Sequence, residues 1–192
     1  HPTAAACGPK LLNPDGSIQH QGSLFRKRIW QAERPVATDY LIAACLMVRK
    51  DMMDKIGGFD ENFFFSNDDL DLCLRIRKAG GQIFYLPSAN ILHYGGYTIK
   101  KFKRELFVEG FRGGLYFARK HYGILVYQLY RLILSLLLIV LILCQVPFYF
   151  LLPNREKFWA YIDILRICAK EEVPSPLHQK WRGAQRINMV SQ

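Results

Sequence analysis

Residues 57–75 read GGFDENFFFSNDDLDLCLR and set three phenylalanines directly before a cluster of carboxylates at the expected start of a helix. Asp68, Asp69 and Asp71 fall within four residues, so their negative charges repel one another. A fold that keeps such acids together usually supplies a cation, a hydrogen-bond donor or a proton to be removed. The cluster is therefore either an acid-rich first turn that favours the helix dipole or the floor of a catalytic cleft.

The surrounding pattern alternates between strand-like and helix-like segments and predicts an α/β fold. The helix at 67–79 is expected to begin at a Ser66 or Asn67 cap and to end at Gly80. The apolar run 40–48 fits either a strand or a buried helix. We expect further helices at 49–56, which Gly57 ends, at 99–120, with an interruption near Gly113 and Gly114, and at 158–170. We also expect strands at 10–12 and at 82–86, and Pro87 should close the second one.

Several motifs occur together in the order found in one enzyme family. Besides residues 57–75, they are Gly8 to Gln19, Asp39 to Ala44, Ala79-Gly80-Gly81, Tyr85-Leu86-Pro87 and Ile91 to Gly96. Over about residues 8–97 this series resembles the second half of family 2 glycosyltransferases, particularly their rhamnosyltransferase-like branch. An ordered series of motifs is more specific than any single motif.

The resemblance implies a set of site residues. The family's acidic pair falls on Asp68 and Asp69, and the second position, Asp69, corresponds to the general base. His93 of the late His-x-x-Gly element resembles a ligand to a divalent cation, Mg²⁺ or Mn²⁺, or a contact to the diphosphate, although a lone histidine also often satisfies a local backbone group. Asp71 is expected to support the helix start or to pair with Arg75 at four residues' spacing. The expected substrate contacts are Asp39, Tyr40, Phe64 and Arg75.

The resemblance also implies a reaction, inverting transfer of a sugar from a nucleotide-sugar donor. In this family the nucleotide binds to the first half of the domain, a Rossmann-like βαβ unit that ends in an Asp-x-Asp motif. No Asp-x-Asp precedes Gly8 in this chain. We therefore expect the acceptor-side half of a GT-A-like domain, which leaves open whether the chain acts alone or is a truncated or partner-dependent fragment without activity of its own.

The run 130–152 is a candidate membrane segment, because a hydrocarbon core requires about 20 apolar residues in a helix. Ser135 and Gln145 are its polar interruptions, and Arg131 stands at its edge. A buried core helix is the alternative, although such helices are usually shorter and amphipathic. Pro147 predicts a bend near 145–147, which is compatible with a single span, a re-entrant segment or an interfacial helix.

Charge and cysteine content narrow the class of protein. The net charge of +10 comes from basic residues on both sides of the apolar run, which favours contact of both flanks with an anionic cytoplasmic leaflet. The chain shows no recognisable nucleic-acid-binding signature, so we expect no nucleic-acid partner. The five cysteines are widely spaced in apolar surroundings, which is typical of a reducing compartment.

The sequence thus predicts three parts and one principal function. The parts are an acceptor-side half-domain at 1–122, a transmembrane or membrane-embedded helix at 123–153 and a basic helical tail at 154–192. The principal function is sugar transfer to a lipid-linked or cell-envelope glycan acceptor at the cytoplasmic face of the cell membrane. A basic membrane-binding protein without enzymatic activity is the remaining alternative.

Overall fold

The computed structural model describes residues 2–21, 29–96, 103–151 and 155–170. The chain divides into two compact units, one formed by His1–Asp60 with Asp68–Tyr97 and the other by Glu61–Asn67 with Thr98–Gln192. We call them the sheet unit and the helical unit. The predicted division at 122/123 and 153/154 stays a prediction, and the predicted polar end of the tail, 171–192, lies outside the described residues.

The sheet unit contains a four-stranded mixed sheet. Its strands are β1 (Ala4–Leu12), β2 (Val36–Thr38), β3 (Met47–Val48) and β4 (Gln82–Leu92), in the spatial order β2-β4-β1-β3. The long strands β1 and β4 run parallel, whereas β2 and β3 pair antiparallel at the two edges. This arrangement confirms the α/β class and is consistent with part of a GT-A-like domain.

The expectation that Pro87 closes the last strand is wrong. Leu86 pairs with Pro9, and the next pair joins Asn90 to Lys10, so residues 87–89 form an irregularity within a strand that continues to Leu92. Proline has no backbone N–H to donate to a neighbouring strand, and an irregularity of this kind accommodates it without ending the pairing.

Two short helices complete the sheet unit and confirm their predicted positions. They are α1 (Lys50–Ile56) and α2 (Asp68–Lys78). Gly57 and Gly80 follow them with φ angles of 76° and 90°, the left-handed geometry that ends a helix at low steric cost. The face of α2 that carries Leu72 and Ile76 is fully buried in the core of the sheet unit. The ambiguous run 40–48 is neither one strand nor one helix, because a 3₁₀ turn at Ala43–Cys45 precedes β3.

The helical unit contains α3 (Lys103–Gln145) and α4 (Arg155–Lys170). The predicted interruption at Gly113 and Gly114 is wrong; α3 breaks instead at Gly123, whose φ of 82° and ψ of 179° are not helical. In a straight helix residues 114 and 130 would lie about 24 Å apart. The Tyr130 hydroxyl nevertheless lies 3.3 Å from the position that a Cβ would take on Gly114. The first arm, 103–122, and the second arm, 124–145, therefore fold back on each other.

The second arm has one face in a protein core and another exposed. Leu134 and Leu138 belong to a core that also contains Ala160 and Ile164 of α4. On the other side, Leu125 is 82% exposed. Within the described part of the chain, the stretch Lys103–Tyr149 is long and apolar enough to cross a membrane, judged by length and composition, and 11% of its most apolar window is buried.

The α-helical geometry ends at the place where Pro147 predicts a bend. The α-helical part of α3 ends at Gln145, and a 3₁₀ stretch follows at Val146–Leu151. Proline lacks the N–H that would continue the ladder and clashes with the preceding turn, so the helix ends just before it.

The segment 61–67, which contains the three phenylalanines, packs on the first arm. The rings of Phe63 and Tyr116 lie 4.9 Å apart, and the Asn67 side-chain amide donates a hydrogen bond of 3.0 Å to the Gly110 carbonyl. Ser66 and Asn67 both adopt positive φ angles, 64° and 66°, a conformation that is uncommon for residues other than glycine. The Asn67 amide bond is one interaction that holds this turn in place.

This packing predicts opposite effects for two glycines of the first arm. A Cβ on Gly110 meets no atom within 4 Å, so Gly110→Ala is expected to stabilise the chain by up to about 1 kcal/mol through helix propensity. A Cβ on Gly113 would lie 2.8 Å from Asn67 Nδ2 and 3.1 Å from the Ser66 carbonyl oxygen, so Gly113→Ala is expected to be destabilising. Urea denaturation of the purified chain in detergent, followed by circular dichroism, measures both. Equal effects of the two substitutions would contradict the described packing of 61–67.

Candidate functional site

The carboxylate of Asp69 lies in the first turn of α2 and accepts hydrogen bonds at both oxygens. The Tyr40 hydroxyl donates to Oδ2 at 2.9 Å, and the Leu70 backbone N–H donates to Oδ1 at 2.8 Å. The Ala43 N–H approaches Oδ2 at 3.4 Å, which makes it the weakest of the three contacts. The fold thus brings together Tyr40 and Asp69, two of the site residues predicted from the sequence.

The environment of Asp69 favours its protonated form more than water does. Burial raises the pKa of Asp69 above the usual aspartate value, and the neighbouring charge of Asp68 acts in the same direction. The Tyr40 hydrogen bond opposes this effect and lowers the pKa, as do the backbone donors, but burial outweighs them. Asp69 is therefore a stronger base than an exposed aspartate.

The raised pKa of Asp69 also makes the stability of the fold depend on pH. Because the folded-state pKa lies above the unfolded-state value, the stabilising contribution of this group is complete below the unfolded pKa and is lost as pH rises through the folded pKa. At neutral pH the ionised Asp69 is therefore a cost to the fold. Groups whose pKa is shifted by burial and a neighbouring charge are often found at functional sites.

Two neighbours of Asp69 remain protonated at neutral pH. Burial, followed by the charge of Asp69, raises the pKa of Tyr40, so its hydroxyl remains a hydrogen-bond donor. Burial raises the pKa of Cys73 to about 11, and its thiol points at the Leu41 carbonyl with an Sγ to oxygen distance of 3.7 Å. Cys73 is consequently a buried thiol and not an activated nucleophile.

Asp71 and Arg75 form the expected pair at four residues' spacing. Arg75 Nε donates to Asp71 Oδ2 at 2.7 Å, and the Asp71 side chain is fully buried. The same guanidinium donates from Nη1 to the carbonyl of Ile56, the last residue of α1, at 2.8 Å. Two of its nitrogens therefore hold α1 and α2 together, and the predicted substrate contact of Arg75 stays a prediction.

The remaining predicted substrate residues lie in different surroundings. Asp39 forms an ion pair of 3.1 Å with Arg77, and both side chains are exposed. Asp68 is partly buried in the first turn of α2 and directly precedes Asp69 in the chain. Phe64 is partly buried and belongs to segment 61–67 of the helical unit. Their contacts with a substrate stay predictions.

His93 lies just past the end of β4 and is held by Gln19. The Gln19 amide nitrogen donates to the His93 carbonyl at 2.7 Å, which fixes the amide so that Oε1 faces the imidazole. Oε1 lies 2.8 Å from Nδ1 and can only accept a hydrogen bond, so Nδ1 carries the proton. In the neutral ring this leaves the lone pair on Nε2. The same arrangement, with one nitrogen oriented by a hydrogen bond, is typical of metal-binding histidines.

The described residues fit a divalent cation only in part. His93 Nε2 offers one ligand, whereas no group of three or more His, Cys, Asp or Glu side chains in the described ranges is arranged to hold a metal ion. A divalent cation such as Mg²⁺ requires further oxygen ligands besides this one nitrogen. The metal role of His93 stays a prediction.

Sequence reasoning missed two contacts that shape the site. Tyr40 was expected to contact substrate, but its hydrogen bond to Asp69 joins residues 29 positions apart. Gln19 lies 74 positions from His93. Its place at the end of the Gly8 to Gln19 motif was the one sequence feature that could have indicated this contact.

The geometry around Asp69 predicts the effect of removing one hydroxyl. Tyr40→Phe deletes the side-chain donor that lowers the pKa of Asp69, so that pKa is expected to rise further. Carbon-13 NMR titration of the aspartate carboxyls in the purified chain measures the change. An unchanged Asp69 pKa would contradict the hydrogen bond, and Tyr94→Phe, an exposed tyrosine, is the matched control.

The buried ion pair predicts a specific pattern of stability. Arg75→Met leaves the Asp71 carboxylate buried without its cation and is expected to cost about 3–5 kcal/mol. The double variant Asp71→Leu with Arg75→Met removes both charges and is expected to cost less than Arg75→Met alone. Lys50→Met, which breaks an exposed pair at the same spacing, serves as the control and should have little effect on urea denaturation. A single variant as stable as the double would contradict a structural role for the pair.

About half of the chain is similar to curated bacterial proteins of the glycosyltransferase type. It is 33% identical over 123 residues to an N-acetylglucosaminyl-diphospho-decaprenol L-rhamnosyltransferase of Mycobacterium tuberculosis, covering 50% of this chain and 39% of that protein. It is 32% identical over 87 residues to rhamnosyltransferase WbbL of Escherichia coli, covering 43% and 31%. It is 27% identical over 111 residues to the O-antigen biosynthesis protein RfbC of Myxococcus xanthus, covering 48% and 9%.

The similarity confirms the resemblance found in the motifs, while the coverage limits how far it reaches. The chain spans less than two fifths of the length of each of these three relatives. No protein-family model and no solved structure matches the chain.

Proposed function

We propose that this chain, a rhamnosyltransferase-like sequence of the family 2 glycosyltransferase type, forms the acceptor-side part of a GT-A-like inverting glycosyltransferase. The observation that carries the proposal is the environment of Asp69. Its carboxylate is partly buried at a helix start, is oriented by Tyr40 and Leu70, and has a raised pKa. These are the properties expected of a general base, whose pKa is best placed near the working pH.

In the proposed reaction Asp69 removes the proton from an acceptor hydroxyl as that oxygen attacks the anomeric carbon of the donor sugar. The bond between the acceptor oxygen and the anomeric carbon forms, and the bond between that carbon and the diphosphate oxygen breaks. The electron pair leaves with the nucleoside diphosphate, and the proton stays on Asp69 until it passes to solvent. Attack opposite the leaving group inverts the configuration at the anomeric carbon.

Other residues of this chain orient the proposed base and offer a ligand for a cation. Tyr40 and the backbone of Leu70 hold the carboxylate in one orientation, so that its lone pairs do not have to be ordered during the reaction. Gln19 orients the His93 ring, so that in its neutral form the Nε2 lone pair can serve as one ligand for a divalent cation. When bound, such a cation offsets the negative charge of a departing diphosphate.

The proposed substrates are a nucleotide-activated sugar and a lipid-linked or cell-envelope glycan. The name of the Mycobacterium tuberculosis relative describes transfer to a sugar carried on diphospho-decaprenol. An acceptor of that kind is anchored in a membrane by its isoprenoid chain, which agrees with the exposed apolar face of the second arm.

We favour interfacial embedding of the second arm over a full span. α4 shares a core with Leu134 and Leu138 in the middle of that arm, while Arg166 and Lys170 on α4 are exposed. A span would carry these charges into the hydrocarbon, at about 2.5–3.5 kcal/mol for each at the bilayer centre. At an anionic surface each basic group instead contributes about 1 kcal/mol. The proposed location is therefore the cytoplasmic surface of the cell membrane.

The proposal predicts that Asp69→Asn abolishes sugar transfer without unfolding the protein. In the protein that contains this chain, the transfer rate is expected to fall by about 10²- to 10⁴-fold, the usual contribution of a general base. Donor binding should persist, because the carboxylate acts on the acceptor. The melting temperature at pH 7 should be equal or higher, since the variant removes a buried charge.

The control for this experiment is Asp54→Asn, which alters an exposed aspartate paired with Lys50 on α1. Its transfer rate should match that of the unmodified protein. Retained turnover in Asp69→Asn would exclude Asp69 as the base. Membrane binding that falls steeply with salt, in a protein without any transfer activity, would instead support a basic membrane-binding protein.

A further inference from the structure

A cavity of about 540 Å³ opens inside the helical unit, and all of its lining residues belong to that unit. Its volume lies in the range of small-molecule sites. It is lined by the beginning of the first arm, by Tyr130 of the second arm, by the first turns of α4 and by residues 65–67. None of these residues has a role in the proton transfer proposed for Asp69.

One part of the cavity wall is aromatic and apolar. Phe65, Phe107 and Phe111 line it together with Leu106. The rings of Phe107 and Phe111 contact each other edge to face at 5.1 Å, which gives the wall a defined shape. Such a wall can pack against branched hydrocarbon.

Another part of the wall is basic. Lys103 and Arg104 come from the first turn of α3, and Lys157 comes from the first turn of α4. Glu156 is the one acidic residue in the lining, against these three basic residues. Arg104 is held in place by Asp163, to which its Nε donates at 2.8 Å. Asp163 offsets the charge of Arg104, so Lys103 and Lys157 carry the positive charge that complements an anion, and the positive ends of two helix dipoles add to the same sign.

One residue that lines the cavity is a sequence neighbour of the exposed apolar residues of the second arm. Tyr130 lines it, and its neighbours Leu129, Leu132 and Ile133 are each more than half exposed. An apolar chain that leaves the cavity thus has an apolar surface beside it. The wall residues Phe65 to Asn67 directly precede Asp68 and Asp69 in the chain.

We propose that this cavity binds the phosphate-bearing head and the first isoprenoid units of the lipid-linked acceptor. The basic residues receive the phosphate oxygens, the aromatic wall receives the first hydrocarbon units, and the rest of the lipid follows the second arm into the membrane. This inference rests on the function proposed above and names the part of the acceptor that the helical unit recognises.

Calorimetry on the purified chain in a non-ionic detergent, with a micelle blank, tests the site. Geranylgeranyl diphosphate is the probe, and inorganic pyrophosphate and geranylgeraniol carry its two halves separately. The complete probe is expected to bind at least tenfold more tightly than either half. Equal binding of pyrophosphate would reduce the site to a simple anion site and overturn the proposal. Displacement of the probe by short-chain phosphatidylglycerol at equal concentration would identify a phospholipid site and also overturn it.

Two variants locate the binding in the cavity. Lys103→Gln with Lys157→Gln removes two basic groups from the wall, and Gly110→Phe fills the cavity from a position where a Cβ meets no atom within 4 Å. Each is expected to raise the Kd for the probe at least tenfold. Lys120→Gln with Lys170→Gln makes the same charge change on the same two helices outside the cavity and should change the Kd less than twofold. An equal loss in this control would mean unspecific attraction to the basic chain.

Asp69→Asn separates this inference from the proposed function. The variant should bind the probe as the unmodified chain does, because Asp69 does not line the cavity. If probe binding is absent while transfer still depends on Asp69, the lipid site is wrong and the function stands. If the cavity variants lose probe binding but Asp69→Asn retains transfer, the lipid site stands and the assignment of the base is wrong.

Discussion

The buried ion pair between Asp71 and Arg75 is the interaction that fixes α2 against α1 in the sheet unit. Arg75 also binds the last carbonyl of α1, so that one guanidinium joins the two helices on either side of Gly57 and Gly58. Because the charge of Arg75 is directed to Asp71, it does not neutralise Asp69. Burial can therefore raise the pKa of Asp69, and within the acidic cluster Asp71 is paired with a cation whereas Asp69 accepts hydrogen bonds from Tyr40 and Leu70.

Local features of this arrangement were predictable from sequence, whereas its long-range contacts were not. The glycine stops of α1 and α2 and the pairing of Asp71 with Arg75 depend on neighbours within one helical turn or one cap, which a sequence displays directly. The irregularity after Pro87 depends on the parallel pairing of β4 with β1, and proline chemistry alone suggested an end to the strand. The sequence likewise placed the acid cluster correctly but could not show that Tyr40 reaches it.

In the helical unit, too, the sequence predicted a local feature, the apolar run, but not its long-range contacts. Its length predicts a membrane segment, but the face that carries Leu134 and Leu138 packs on α4 in a protein core. The break at Gly123 was hidden because glycine also occurs at 110, 113 and 114 without ending the helix. The fold-back of the two arms, seen at Gly114 and Tyr130, accompanies the positive φ of Gly123, a conformation that glycine adopts at low steric cost.

The central claim is that Asp69 acts as a buried base. Burial raises its proton affinity, and the hydrogen bond from Tyr40 lowers it. The most direct measurement is the pH dependence of kcat/KM for sugar transfer in the unmodified protein and in Tyr40→Phe. The acid limb should lie above the pH of an ordinary aspartate and should move to higher pH in Tyr40→Phe. An acid limb at the same pH in both proteins, or a rate without an acid limb, would contradict the account.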